Sequence, residues 1–259
     1  MTMKIYHGEP NGPSLTVLAA LSEKNLDADL VYIDLARAER HGSKCEQSVE
    51  VNMSVEGEGP VLVVNGEPLA DSVFIARYLD DVGSGSSLVP GDSYGCWEVM
   101  TWCRFVIERV APAASYLGVK AHLKDRLAGL DDSAFAEMVG KIASEDLKQR
   151  WCDVRTGKFS DDQVADSESK IVQAAEKVEA QLEGRDWLMG EFSMADLETY
   201  AWLAGMVDLV PAAFENAGRT KTWLERVRNR PSVQQALSRA TVADPLKYWA
   251  PGPEINRWG

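Results

Sequence analysis

Every strand-like run in this chain falls before residue 71, and the sequence from about residue 92 onward reads almost entirely as helix. A chain divided in this way builds a small α/β unit and a larger helical one, and its 259 residues are enough for both. Met3-Lys4-Ile5-Tyr6 reads as a first strand, followed by the breaker-rich loop Gly8-Glu9-Pro10-Asn11-Gly12-Pro13. Ser14 then stands before Leu15, Leu18 and Leu21, which predicts a helix with an apolar stripe and Ser14 as its N-cap. Asp29-Leu30-Val31-Tyr32-Ile33-Asp34 completes a βαβ unit. Residues 35–58 are polar and irregular, with at most a short helix around 36–41. Val61-Leu62-Val63-Val64 is a strong β run, Asn65-Gly66 a hairpin turn, and Glu67-Pro68-Leu69-Ala70 a returning edge strand. Asp71-Ser72 opens a helix with Ile75, Tyr78, Leu79 and Val82 at i, i+3, i+4 and i+7.

The expected domains are residues 1–83 and 92–259, joined by the Gly/Ser-rich linker 84–91. Within the second, Ser193-Met194-Ala195-Asp196 reads as a capping box, flanked by Phe192 and Leu197 as a hydrophobic staple.

Charge and cysteine usage narrow the partners. Lys plus Arg number 27 against 40 Asp plus Glu, a net charge of −13. Such a surface repels phosphate backbones, so no nucleic-acid partner is expected. No apolar run approaches the ~20 residues of a membrane span. The start Met1-Thr2-Met3-Lys4 leads straight into a strand, without the apolar stretch of a signal peptide. Cys45, Cys96, Cys103 and Cys152 form no dense cluster with His7, His41 and His122. No metal is expected, and the cysteines read as reduced thiols of a cytoplasmic protein.

Four features then converge. They are the βαβ start with Ser14, the segment Gly59-Pro60-Val61-Leu62, the acidic-Ser pair Asp71-Ser72, and the combination of Ser193–Asp196 with Trp223-Leu224-Glu225-Arg226-Val227-Arg228-Asn229-Arg230-Pro231. Together they resemble the glutathione transferase family across nearly the whole chain. The resemblance implies a thioredoxin-like α/β N-terminal domain, an all-α C-terminal domain, glutathione as co-substrate and a dimer. Lys4-Ile5-Tyr6, Ser14-Leu15 and Glu39-Arg40-His41 look like the bacterial β-etherases that cleave lignin-derived β-aryl ethers. So does the polar stretch from Leu147-Lys148-Gln149-Arg150-Trp151 to Gly157-Lys158-Phe159.

The resemblance also implies a site. Ser14, at a helix N-terminus, would stabilise the glutathione thiolate. Tyr6 is the rival donor, or a core residue. Gly59 would pair its backbone with the cysteinyl unit, ahead of a cis Pro60. Asp71 would meet the γ-glutamyl ammonium, and Ser72 the γ-glutamyl carboxylate. His41 would donate to the glycyl carboxylate, with Arg40 and Lys44 as nearby cations. Against an acidic surface, an anionic tripeptide must be held by local amides and few cations, so the helix N-termini at Ser14 and Ser72 matter most.

Two departures stand out. Pro13 replaces the asparagine that precedes this serine in the β-etherases, and proline offers no donor. The segment between His41 and Pro60 is long, with Asn52-Met53 where relatives have Asn-Pro. The expected function is therefore β-aryl ether cleavage on an aromatic substrate. The alternatives are a weakly catalytic partner subunit of a heterodimeric β-etherase, and a glutathione-dependent dehalogenase or conjugating transferase. Tyr116, Trp102, Phe105, Trp151 and His122 are candidates for holding the aromatic group, with helix-core packing as the other reading. Cys103 and Cys152 read as small apolar groups. The aromatic tail from Tyr248-Trp249 onward either caps the cleft or docks on the helical domain.

Overall fold

In a computed structural model, which describes residues 2–42, 45 and 59–251, the strand signals assemble into a four-stranded mixed sheet. Strand β1 (Met3–His7) pairs in parallel with β2 (Asp29–Tyr32) and antiparallel with β3 (Val61–Val64). Strand β4 (Glu67–Ala70) closes the edge, giving the order β2-β1-β3-β4. The register places Lys4 opposite Asp29 and Val63, and Val63 opposite Pro68. Pro68 is tolerated because its missing N–H falls on an edge strand. Asn65 and Gly66 take φ of 51° and 93°, the positive pair that a two-residue hairpin turn requires.

Helix α1 (Gly12–Glu23) connects β1 to β2, and α2 (Ser72–Val82) follows β4. Asn11, in extended backbone, is the N-cap of α1, and its side chain accepts from the Gly12 N–H. This corrects the expectation for Ser14, which lies in the first turn instead. The physical reason is Pro13, whose missing N–H costs nothing at a helix start. The predicted stripe of α1 is also too narrow. Leu15, Val17, Leu18, Ala19, Ala20 and Leu21 are all buried, because α1 lies between α2 and the helical domain. On α2, Val73, Ile75, Ala76 and Leu79 are buried, whereas Val82 is 39% exposed.

Two 3₁₀ turns, Leu35–Arg37 and Glu39–His41, follow β2. Lys44, Asn52 and Met53 lie outside the described residues. The Gly59–Pro60 bond is trans, as are all described peptide bonds, which corrects the expected cis proline. Gly59 turns the chain into β3 instead, with φ of +74°, a conformation open to glycine.

The second domain begins with α3 (Ser93–Phe105), α4 (Ala111–Gly118) and α5 (Lys124–Ala128), linked by wide π-helical turns at Val106–Val110 and Val119–Leu123. There follow α6 (Asp132–Gly140), α7 (Glu145–Thr156), α8 (Asp161–Gln181), α9 (Met194–Leu203), α10 (Gly218–Arg228) and α11 (Pro231–Leu237). The capping box at the head of α9 forms as expected. Asp196 Oδ2 accepts from Ser193 N at 3.0 Å, and Oδ1 from Leu188 N at 3.0 Å and Trp223 Nε1 at 2.8 Å. No helix among the described residues is long and apolar enough to cross a membrane.

The segment 84–91 is tied down rather than loose. Lys24, at the end of α1, pairs with Asp80 of α2 at 2.9 Å, both side chains being 3% exposed, and donates to Ser86 O at 2.9 Å. Leu88 N donates to Asp80 Oδ1 at 2.8 Å, and Leu88 is buried. Across the domains, Arg230 reaches Glu23 through two 2.9 Å hydrogen bonds. One apolar core runs through both domains; a smaller one, with Tyr6, Ile33, Cys45, Val61 and Val63, lies apart from it.

Candidate active site

Three backbone segments meet where α1 begins: the β1–α1 loop, the turn before β3, and the C-terminal segment. Between them lies a cavity of about 50 Å³ lined by Asn11, Pro13, Gly59, Trp202, Tyr248 and Trp249 among others. Pro13 and Gly59 abut, since a Cβ added at Gly59 would stand 3.4 Å from Pro13 Cγ. The Trp202 ring covers Gly12, which sits at φ +50° and where an added Cβ would stand 3.3 Å from that ring.

Ser14 is 2% exposed and lies just behind Pro13. Its Oγ accepts from Gly8 N at 3.0 Å, so its proton is the group it has left to donate. Tyr6 is likewise buried, but in the smaller core. Ile5 of the same strand belongs to the core that holds α1, so alternation sends Tyr6 to the opposite face of the sheet.

At the head of α2, Asp71 is the N-cap and holds φ of +74°, a strained value for a residue with a side chain. Its Oδ1 accepts from Val73 N at 2.9 Å and Phe74 N at 3.3 Å. The surrounding protein raises its pKa by desolvation, and the two backbone hydrogen bonds oppose that rise. The residue nevertheless stays open to solvent, so it remains able to meet a cation.

Ser72 is buried, and its hydroxyl donates to both oxygens of Glu198, at 3.2 and 3.1 Å. Glu198 is fully buried on α9 and also accepts from Trp202 Nε1 at 2.9 Å. Thr16 faces the same carboxylate without reaching hydrogen-bond geometry. Burial pushes the Glu198 pKa up to about 7, against the hydrogen bonds that hold its charged form. Gly12, Trp202, Glu198 and Ser72 thus link the heads of α1 and α2 through one helix of the other domain.

His41 ends the second 3₁₀ turn, half-buried and outside the cavity lining. Burial, with the Arg40 charge adding, pushes its pKa down to about 4, so it is neutral at pH 7. Pro60 leads into β3, and Arg40 is buried.

The aromatic candidates fall elsewhere. Trp102 donates to Thr199 Oγ1 at 2.9 Å within the core, with Phe105 against its ring. Trp151 is buried, and Tyr116 packs on Phe159. His122 lies on the second wide turn, and neither it nor the other four lines the cavity. Cys103 is buried, which raises its pKa well above the usual thiol value; Cys152 is half-buried.

The aromatic walls come instead from Trp202, Tyr248 and Trp249. Sequence reasoning passed over Asn11, Trp202 and Glu198. Asn11 had a legible signal, an Asx residue just ahead of a proline at a helix start. Glu198 and Trp202 had none, because what they touch is set by the meeting of two domains.

Two family models match the chain: glutathione S-transferase, N-terminal domain, over residues 1–81, and glutathione S-transferase, C-terminal domain, over residues 144–231. Protein LigF of Sphingobium sp. strain SYK-6 is 27% identical over 258 residues, covering 95% of this chain and 97% of that protein. The crystal structure of beta-etherase LigF from that strain superposes with a TM-score of 0.83 at 25% identity, covering 93% of this chain and 100% of that one. Glutathione transferase F7 from Populus trichocarpa shares the fold, with a TM-score of 0.67 at 20% identity over 92% of this chain and 98% of that one.

Proposed function

Because the chain belongs to the glutathione S-transferase family, we propose that it uses glutathione to cleave β-aryl ether bonds of lignin-derived aromatic ketones. The observation that carries this reading is the likeness to beta-etherase LigF, in sequence and in backbone, over nearly the full length of both chains.

In the proposed step the glutathione thiolate attacks the carbon beside the ketone. A C–S bond forms, the C–O bond breaks, and its electron pair leaves with the aryloxide. The nucleophile must be thiolate rather than thiol. Ser14 lies in the first turn of α1, where the helix dipole favours negative charge, and its proton is available to the sulfur. Gly59 has backbone groups for the cysteinyl unit. The head of α2, with Asp71 and Ser72, suits the γ-glutamyl end. There the Ser72 hydroxyl is engaged by Glu198, so the helix N-terminus rather than that hydroxyl favours the carboxylate. His41, being neutral, suits a hydrogen bond to the glycyl carboxylate rather than an ion pair.

Incubating the purified chain with glutathione and a β-keto aryl ether tests the reading. The expected products are the glutathione thioether and the free phenol. Binding of glutathione without either product would favour the second reading, a partner subunit that depends on a related catalytic chain in a dimer. Pro13 lining the cavity supports that second reading, because it supplies no donor there.

A further inference from the structure

The C-terminal segment crosses the mouth of the cavity and is fastened to both domains. Trp249 is buried, its ring 6.0 Å from that of Trp202 and packed so closely on Gly118 that an added Cβ would come within 2.5 Å. Ser115 Oγ donates to Ala250 O at 3.2 Å. The Tyr248 hydroxyl donates to Asp34 at 2.7 Å and accepts from Arg126 Nη2 at 2.7 Å, and that guanidinium also lies 4.2 Å over the Tyr248 ring.

At the centre of this strap, Asn11 Nδ2 donates to the Tyr248 carbonyl at 3.2 Å. The orientation of the carboxamide is settled by its other end, since Oδ1 accepts from Gly12 N at 3.0 Å. A carbonyl flanked by two aromatic side chains is therefore seated on a neutral donor at the head of α1. This is also the wall on which Pro13 has no donor to give.

Resting on the function proposed above, we propose that Asn11 is a catalytic donor that binds the carbonyl oxygen of an aryl ketone, and that the Tyr248–Trp249 strap is an internal competitor for it. The hydrogen bond polarises the ketone and makes the adjacent carbon more electrophilic. Thiolate attack forms the C–S bond, the ether electron pair departs with the aryloxide, and Asn11 keeps its protons throughout. The strap must lift for the substrate to enter, because about 50 Å³ is far below the roughly 300 Å³ or more of a small-molecule site.

Asn11→Ser and Asn11→Asp both retain an oxygen to cap α1 but lose the N–H₂ group. Calorimetric titration of the full chain with acetophenone, and with ethylbenzene as the oxygen-free match, tests the assignment without relying on turnover. Both variants should bind acetophenone about tenfold more weakly, the value of one neutral hydrogen bond, with ethylbenzene affinity unmoved. Tyr248→Phe, which keeps the ring and carbonyl but releases the latch, should bind acetophenone more tightly. Equal acetophenone affinity in the wild type and both Asn11 variants would overturn the proposal, as would absence of binding to the wild type and Tyr248→Phe alike. Asn11-dependent ketone binding without thioether formation would uphold the donor and sink ether cleavage. Turnover with Asn11-independent binding would do the reverse.

Discussion

At the scale of single residues, the site depends on how each polar group is already engaged. Ser14 accepts from Gly8 N and retains a proton to donate, an arrangement suited to an anion nearby. Ser14→Ala should lower turnover with glutathione by about 100-fold, because losing the donor to the sulfur leaves far less of the bound thiol as thiolate, while glutathione affinity changes little. Steady-state kinetics beside a glutathione titration would measure both, and unchanged turnover would remove Ser14 from the mechanism. His41 gives a pH signature. Its folded pKa of about 4 lies below the ordinary 6.5, so between these values the unfolded chain binds more protons than the folded one. Stability contributed here is present above pH 6.5 and lost as pH falls toward 4. Denaturant titrations across that range should show a shallower acid loss in His41→Asn than in the parent chain.

At the scale of elements, α9 decides how α1 and α2 sit. Its N-terminal capping box orders the first turn, and Glu198, one step further, ties Trp202 to Ser72. Because burial lifts the Glu198 pKa from 4.5 to about 7, the folded protein holds a proton there that the unfolded chain releases. The sign is therefore opposite to that of His41, and this contribution to stability falls as pH rises from about 4.5 to 7. Glu198→Gln should flatten that slope in urea unfolding followed at several pH values; an unaltered slope would mean that Glu198 is charged throughout. The same hub explains why Ser72 serves the domain contact as well as the helix head.

At the scale of the whole molecule, the buried Lys24–Asp80 pair joins the end of α1, α2 and the chain that crosses between domains. Lys24→Met would leave Asp80 buried with its principal cation gone and should destabilise the protein by about 3–5 kcal/mol in equilibrium unfolding. A loss below about 1 kcal/mol would show that Arg77, Ser87 and the Leu88 N–H together suffice to hold the Asp80 charge without Lys24. Much of this architecture was legible beforehand. The unbroken β-branched and apolar run at 61–64, the Asn65-Gly66 turn and the Ser193–Asp196 box involve residues close in the chain, so local stereochemistry writes them directly into the sequence. The helix α1 was legible too, but its head was expected at Ser14, whereas Asn11 caps it and Pro13 lies in its first turn. The sequence by itself thus determined the two-part fold, the strand register around one tight turn, and the candidates Ser14, Asp71 and Ser72. Only the tertiary structure decided that Asn11 meets Tyr248 across 237 positions, and that Ser72 turns to Glu198 across 126. Contacts of that span leave no periodicity behind them, because they depend on where separate elements come to rest rather than on the spacing of residues within one.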